Sequence, residues 1–160
     1  MAESSLKKYK QEYSKFQEKH KLPSFEFLNE NFEIESLAGA ETELFLKKIR
    51  KQILEKVSSG LRALEMFLNP QNAPVFIFSI IKSFNKTDKE IIDRLYQQFA
   101  EFEILAFGLE NTYDEKKEAE FIIKAADSWK EISKDFDRLY DTMRLNYKTD
   151  SKEKGKSYLG

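Results

Sequence analysis

The amino-acid sequence predicts an all-α fold, a single-domain antiparallel bundle of five to six helices. Only 5 Gly and 3 Pro occur among the 160 residues, too few for the many turns of a β-rich protein. Charged residues make up 34% of the chain and hydrophobic residues 41%, a balance typical of long helices with solvated faces. In the long segments, apolar residues recur every three or four positions, the period of a helix that buries one face. We expect the bundle to cover residues 1–148.

The N-terminal segment, residues 3–21, predicts an amphipathic helix at the periphery of the bundle. Its apolar stripe is narrow and the rest of the segment is rich in lysine, which suits a helix laid on a surface. Pro23 disfavours helical geometry at the residue before it, and Ser24 suits the N-cap of the next element. That element is a short aromatic turn or helix, followed by an extended connector over residues 32–35. The stripe consists of Leu6, Tyr9, Tyr13, Phe16 and His20.

Three long helices follow, near 42–68, 88–110 and 114–148. Each keeps an apolar face over its length, so we expect the three to form the antiparallel frame of the bundle. After residue 148 the apolar period is lost, and residues 149–160 are predicted to be a disordered tail.

Polar residues mark the predicted starts of these helices. Thr42 is a plausible N-cap for the first helix. Thr87 and Glu90 have the hydroxyl-to-glutamate spacing of a capping box before the second. Asp114 is expected to cap the third.

The most apolar stretch is 74–84, with the sequence PVFIFSIIKSF and one charged residue, Lys82. It is far too short to span a bilayer. Its Phe, Ile and Val content would also suit a strand, but no other segment supplies a sheet for it to join. We therefore expect a short helix that begins at Pro74 and is buried among the three long helices.

Composition excludes several chemistries. The chain has no Cys, which rules out disulfides, thiolate catalysis and Cys-ligated metal sites. Its one His, His20, is not part of a Glu-x-x-His metal motif, and neither a Gly-rich phosphate loop nor a G-x-S-x-G motif occurs. No cofactor is predicted. The N-terminus is charged and resembles no signal peptide, so a cytoplasmic protein without a membrane partner is expected.

Four charged residues fall on otherwise apolar helix faces and form the main candidate site. They are Arg50 on the first long helix, Glu103 and Glu110 on the second, and Glu118 on the third. Because a buried charge requires a partner, we expect a polar network in which Arg50 meets Glu103 or Glu118. Two alternatives stay open: solvated carboxylates at the rim of the bundle, and a carboxylate site for Mg²⁺ or Mn²⁺.

A second candidate is a basic patch. Such clusters suit contacts with phosphate groups of nucleic acid, but glutamates are interspersed, and the net charge of −1 provides no general attraction. A simple solvated face is the alternative interpretation. The patch would consist of Lys7, Lys8, Lys47, Lys48, Lys51 and Arg62.

Two segments carry a resemblance to known proteins. The stretches LPSFEFLNENFEIE (22–35) and YDEKKEAEFI (113–122) resemble segments of small, uncharacterised all-helical archaeal proteins. The resemblance implies an all-helical cytoplasmic protein and no catalytic residues.

These observations together predict a non-enzymatic interaction or regulatory protein that binds another macromolecule through a helix face or groove. A protein partner and self-association as a homodimer are both expected. The alternatives are a nucleic-acid or ribosome-associated factor that uses the basic first helix and Lys47–Lys51, and a carboxylate-based metal-binding bundle.

Overall fold

The computed structural model of the protein describes the backbone of residues 2–158 and the side chains of residues 2–71 and 73–148. Over this range the chain is all-α, as predicted, with no strand. Short 3₁₀ turns at Ile34–Leu37 and Pro70–Asn72 lie between the helices. The helices are α1 (Ala2–His20), α2 (Phe25–Phe32), α3 (Phe45–Leu68), α4 (Val75–Lys82), α5 (Lys86–Leu109) and α6 (Glu115–Tyr158).

The contacts between residues group the chain into two compact units. Unit 1 consists of Met1–Ser58 and Glu101–Trp129, and unit 2 of Ser59–Ala100 and Lys130–Gly160. Each of the long helices α3, α5 and α6 therefore supplies one part to each unit. The single domain inferred from the sequence stays a prediction.

In unit 1, side-chain contacts give the directions of the long helices. Arg50 on α3 forms an ion pair with Glu110, the residue that follows α5, and Ser58 on α3 donates a hydrogen bond to Glu103 on α5. Since the partner number falls as the α3 number rises, α3 and α5 are antiparallel. A five-residue connection at 110–114 reverses the chain, and the ring of Phe121 on α6 packs edge-on against that of Phe102 on α5.

Helix α1 joins unit 1 through aromatic side chains. Tyr9 and Tyr13 are buried, and each packs edge-on against Phe25 at the start of α2. Phe16 stacks on Phe45, with 5.1 Å between the ring centroids. The Tyr13 hydroxyl donates to the Pro23 carbonyl at 2.5 Å. The stripe seen in the sequence is therefore the packing face of α1, and the remaining lysine-rich surface is exposed.

In unit 2, α3 and α5 approach each other at Gly60. A Cβ atom at Gly60 would lie 2.5 Å from a ring carbon of Phe99, closer than two non-bonded carbon atoms can come. Phe99 is fully buried and stacks on Phe136 of α6. The glycine in the middle of α3 thus makes room for the Phe99 ring.

Helix α4 is present as predicted, but its burial is confined to one face. Ile77, Ile80 and the following Phe84 are buried, whereas Val75 is 82% exposed and Phe76 54% exposed. The prediction that this stretch is enclosed by the long helices is therefore wrong for its other face. Eight residues make two helical turns, which cannot direct this many large side chains inward.

The N-termini of the long helices differ in part from the predictions. At α5 the reciprocal bonds join Asn85 and Asp88: each backbone N–H donates to the other's side-chain oxygen at 2.9 Å. The capping box therefore lies two residues before the predicted Thr87. Helix α3 begins at Phe45 rather than near Thr42. Asp114 does cap α6, since its side chain accepts from the Lys117 N–H at 3.1 Å.

Two other segments also depart from the sequence interpretation. Residues 32–35 are not an extended connector: α2 ends at Phe32, Glu33 has a left-handed backbone (φ 55°), and a 3₁₀ turn follows. Phe32 and Ile34 are nonetheless buried. At the other end, the backbone of α6 is helical to Tyr158, over most of the predicted tail, and residues 159–160 lie outside the described residues.

Candidate functional site

Three of the four charged residues on apolar faces meet in unit 1. Arg50 Nε donates to Glu118 Oε2 at 2.6 Å, and both side chains are fully buried. Arg50 Nη1 lies 3.0 Å from Glu110 Oε1, close enough for an ion pair but without the angles of a hydrogen bond. The Arg50 guanidinium holds the pKa of Glu110 below its usual value. This arrangement links α3 to the end of α5 and the start of α6.

The network has one exposed end and one closed end. Glu110 is about half exposed, and Lys47 Nζ lies 3.7 Å from its carboxylate. On the buried side, Arg50 Nη2 and Glu118 Oε1 have no hydrogen-bond partner among the described residues. Tyr113 is nearby, and burial together with the Glu115 and Glu118 charges raises its pKa. With both charges of its buried pair committed to each other, the network suits a structural role.

Glu103 is not part of this network. Its carboxylate accepts a hydrogen bond from the Ser58 hydroxyl, about two turns along α3 from Arg50. Of the three glutamates considered for a carboxylate metal site, Glu110 and Glu118 are thus paired with Arg50, and Glu103 is held separately by Ser58. Over the described residues there is no group of three or more His, Asp or Glu side chains positioned for a metal ion.

His20 lies in a contact between α1 and α6. Its Nε2 is 2.7 Å from Glu115 Oε1, and Lys19 Nζ is 2.6 Å from the same oxygen. Hydrogen bonds from Lys19 and His20 lower the pKa of Glu115. Because Glu115 is the first residue of α6, its charge also favours the helix macrodipole. The contact links the end of α1 to the start of α6 within unit 1.

The basic residues on α3 are partly engaged with the protein itself. Lys47 is largely covered and lies beside Glu110, and Lys48 donates to the backbone carbonyl of Glu41. Lys51 is exposed.

The remaining members of the predicted basic patch are exposed. Lys7 and Lys8 lie on α1 in unit 1, whereas Arg62 belongs to unit 2. The patch as a nucleic-acid surface stays a prediction.

The largest departure from the sequence interpretation is an exposed apolar surface in unit 2. We call it the α4 surface and define it by Val75, Phe76 and Phe78, the exposed side chains of α4. Met66 and Leu68, at the end of α3, are also exposed. An isolated exposed apolar residue needs no explanation, but five in two neighbouring stretches of one unit do.

Unit 2 also has a groove of about 420 Å³. One of its lining residues, Ala73, is two residues before the start of α4. Its walls are largely apolar, and Arg62 and Glu65 provide its charges. The Arg62 guanidinium has only a long contact, 3.4 Å to the Ser59 hydroxyl, and no carboxylate within ion-pair distance among the described residues. The lining residues are Arg62, Glu65, Met66, Leu68, Asn69, Ala73 and Tyr96.

Sequence reasoning singled out the stretch 74–84 but assigned it to the core. The available signal was its composition: a helix of two turns that is apolar on every side has more apolar surface than a single buried face requires.

Comparisons with known proteins add no identity: no family model, no curated protein and no solved structure matches the chain significantly. Across the described residues, no helix combines the length and the apolar character needed to cross a membrane.

Proposed function

We propose that this protein is a non-enzymatic interaction protein that binds a segment of another protein through the α4 surface and the adjoining groove. The observation that carries the proposal is the exposure of Val75 and Phe76, at 82% and 54%, in a helix with a single charged residue. Burying one such side chain in an interface is favourable by roughly 1.5–3 kcal/mol. A partner that covers these residues therefore gains affinity from contacts that the chain alone leaves in water.

The groove indicates the chemistry of the partner. Apolar walls suit a leucine or an aromatic side chain, and the Arg62 guanidinium has no carboxylate partner among the side chains that the structure describes. Arg pairs with carboxylates through two parallel hydrogen bonds, which adds specificity as well as energy. The occupant that fits best is an amphipathic peptide or helix with apolar anchors and an acidic residue beside them.

The experiment is peptide selection against the immobilised full chain, followed by calorimetry. A library of amphipathic peptides is selected on the wild-type protein and counter-selected on Phe76→Glu. Tyr147→Glu is the matched control, because Tyr147 in the same unit is 56% exposed, close to the value for Phe76.

We expect selected peptides to bind the wild type and Tyr147→Glu equally, and Phe76→Glu at least tenfold more weakly. An Arg62→Gln variant should lose affinity only for peptides that contain the acidic residue. Equal binding to wild type and Phe76→Glu would overturn the proposal, provided that both proteins show the same thermal midpoint.

A further inference from the structure

The ammonium group of Lys56 lies against two aromatic rings in unit 1. Lys56 is on α3, and its Nζ is 5.3 Å from the centroid of the Trp129 ring on α6. The same atom is 5.7 Å from the centroid of the Phe32 ring at the end of α2. The two rings pack edge-on against each other, with 4.7 Å between their centroids. All three residues belong to unit 1, and nothing in the proposed function uses them.

A backbone carbonyl is the other protein group at this ammonium. Lys56 Nζ donates a hydrogen bond to the carbonyl of Asn31, in the last turn of α2. The last carbonyls of a helix have no partner within the helix and carry its partial negative charge, so a cation is favourable there. We call Lys56, the rings of Phe32 and Trp129, and this carbonyl the Lys56 site.

The Lys56 site combines buried rings with an exposed lysine. Phe32 is 2% exposed and Trp129 6% exposed, whereas the Lys56 side chain is exposed. Burial at its ammonium end lowers the pKa of Lys56, against the charge of Glu33, which raises it. The ammonium has therefore lost part of its hydration, although solvent and reagents can reach the side chain.

The site offers fewer hydrogen-bond acceptors than the ammonium has donors. A lysine ammonium has three N–H groups. Among the described residues, the Asn31 carbonyl accepts from one of them, and no carboxylate lies within ion-pair distance of Lys56. The rings attract the positive charge but are weak hydrogen-bond acceptors. Two of the three N–H groups thus have no good acceptor within the described part of the chain.

A dimethylated ammonium matches these surroundings better than the unmodified one. Methylation keeps the positive charge, and aromatic rings bind methylated ammonium groups by cation–π attraction. Two methyl groups would replace the two N–H groups that lack a good acceptor, and the third N–H would still donate to Asn31. Trimethylation would remove that last donor, and acetylation would remove the charge.

From this match we propose that Lys56 is an N-methylation site and that its dimethylated form is held in the Lys56 site. Each methyl group comes from a sulfonium methyl donor. The ammonium first releases a proton to water, and the free amine then attacks the methyl carbon. The carbon–sulfur bond breaks and its electron pair stays on sulfur. The product remains a cation with one N–H group, and it links α3 to α2 and α6 more strongly than the unmodified lysine does.

The first test is peptide mass mapping of the full chain purified from its native cell. We expect Lys56 to carry the mass of two methyl groups. Lys51, exposed on the same helix, is the internal comparison and should be unmodified. Lys56 found unmodified, trimethylated or acetylated would overturn the proposal.

The second test supplies the methyl groups chemically, without a methyltransferase. Formaldehyde labelled with ¹³C and a borane reductant convert the lysines of the folded full chain to their dimethyl forms. Methyl groups above an aromatic ring resonate upfield, so dimethylated Lys56 should give a carbon–proton signal upfield of the other lysines. This signal should be absent from Lys56→Arg. Lys51→Arg is the matched control and should lose only an unshifted signal.

Thermal unfolding of the same samples measures whether the methyl groups strengthen the contact. Dimethylation should change the midpoint of the wild type more favourably than that of Lys56→Arg, because only the wild type gains methyl–ring contacts at the site. Lys51→Arg should respond as the wild type does. Emission of Trp129, the one tryptophan of the chain, should change on methylation in the wild type and stay constant in Lys56→Arg. A missing upfield signal, or equal midpoint changes in wild type and Lys56→Arg, would overturn the proposal.

Discussion

Arg50 and Glu118 form a completely buried ion pair, with Nε and Oε2 only 2.6 Å apart. The pair joins the first part of α3 to the first turns of α6 in unit 1. Desolvation of two charges offsets most of their attraction, so such a pair contributes little net stability although loss of one partner is costly. The unpartnered Arg50 Nη2 and Glu118 Oε1 add to that cost. The pair therefore links α3 to α6 while adding little to the net stability of unit 1.

The first prediction concerns the high cost of removing only one partner of this pair. Arg50→Met should lower the free energy of unfolding by about 3–5 kcal/mol, because it leaves the Glu118 carboxylate buried without a cation. Arg50→Met combined with Glu118→Leu should recover most of the loss. Urea denaturation of the single and double variants measures both effects.

Lys51→Met, at the exposed neighbouring position, is the control and should change stability by less than about 0.5 kcal/mol. A double variant as unstable as Arg50→Met would contradict the account.

The same residues show how far the sequence could predict the site. A cation on an apolar helix face must have a partner, so helical periodicity was enough to predict that Arg50 is paired. It could not choose between Glu103 and Glu118, because both fall on faces directed at α3. The choice depends on the relative height and rotation of the helices, which side-chain packing determines. Glu103 instead meets Ser58, a residue that carried no charge to attract attention.

The fold shows a similar limit. Long amphipathic segments predicted α3, α5 and α6, because each needs only its own periodicity to be recognised. The extent of burial of α4 was missed, because composition records how apolar a segment is but not how much neighbouring surface is available to cover it. The start of α5 was misplaced by two residues because Asn85 and Asp88 form a capping box with side chains other than the hydroxyl and glutamate usually sought.

The second prediction compares two buried tyrosines. Burial raises the pKa of both Tyr9 and Tyr13, but only the Tyr13 hydroxyl has a partner, the Pro23 carbonyl. The Tyr9 hydroxyl is buried and has no hydrogen-bond partner among the described residues. Tyr9→Phe should therefore be neutral or stabilising by up to about 1 kcal/mol, since it removes an unsatisfied polar group. Tyr13→Phe should cost about 1 kcal/mol; the loss is limited because Gln17 also donates to Pro23, at 3.3 Å. Thermal unfolding of both variants at pH 7 tests the difference, and equal effects would argue against it.

The third prediction concerns acid. Because Lys19 and His20 lower the pKa of Glu115 in the folded chain, its carboxylate binds a proton more weakly there than in the unfolded chain, where the usual value is about 4.5. The stabilisation is therefore complete above that value and is lost as the pH falls through the lower folded pKa. Glu115→Gln should be less stable than wild type at pH 7, by less than about 1 kcal/mol for this partly exposed contact. The difference in stability between Glu115→Gln and the wild type should close below pH 4.5.

The control for that measurement is Glu120→Gln on the exposed side of α6, where no ion pair is present among the described residues. Its thermal midpoint should follow that of the wild type at every pH. A gap between wild type and Glu115→Gln that stays constant down to pH 3 would mean that the contact acts through packing and not through charge.

The fourth prediction compares Gly60 and Gly108. A methyl group added at Gly60 would meet the Phe99 ring, and one added at Gly108 would meet open space. Alanine usually stabilises a helix by about 1 kcal/mol relative to glycine. Gly108→Ala should show that gain, because nothing lies within 4 Å of the new Cβ. Gly60→Ala should instead destabilise unit 2 by about 1–3 kcal/mol, because the buried Phe99 ring, 2.5 Å from the new Cβ and stacked on Phe136, would have to shift. Both are measured by urea denaturation. A smaller ring partner should relieve the clash, so Gly60→Ala combined with Phe99→Leu should cost less than the sum of the two single variants, and strict additivity would show that Gly60 does not make room for Phe99.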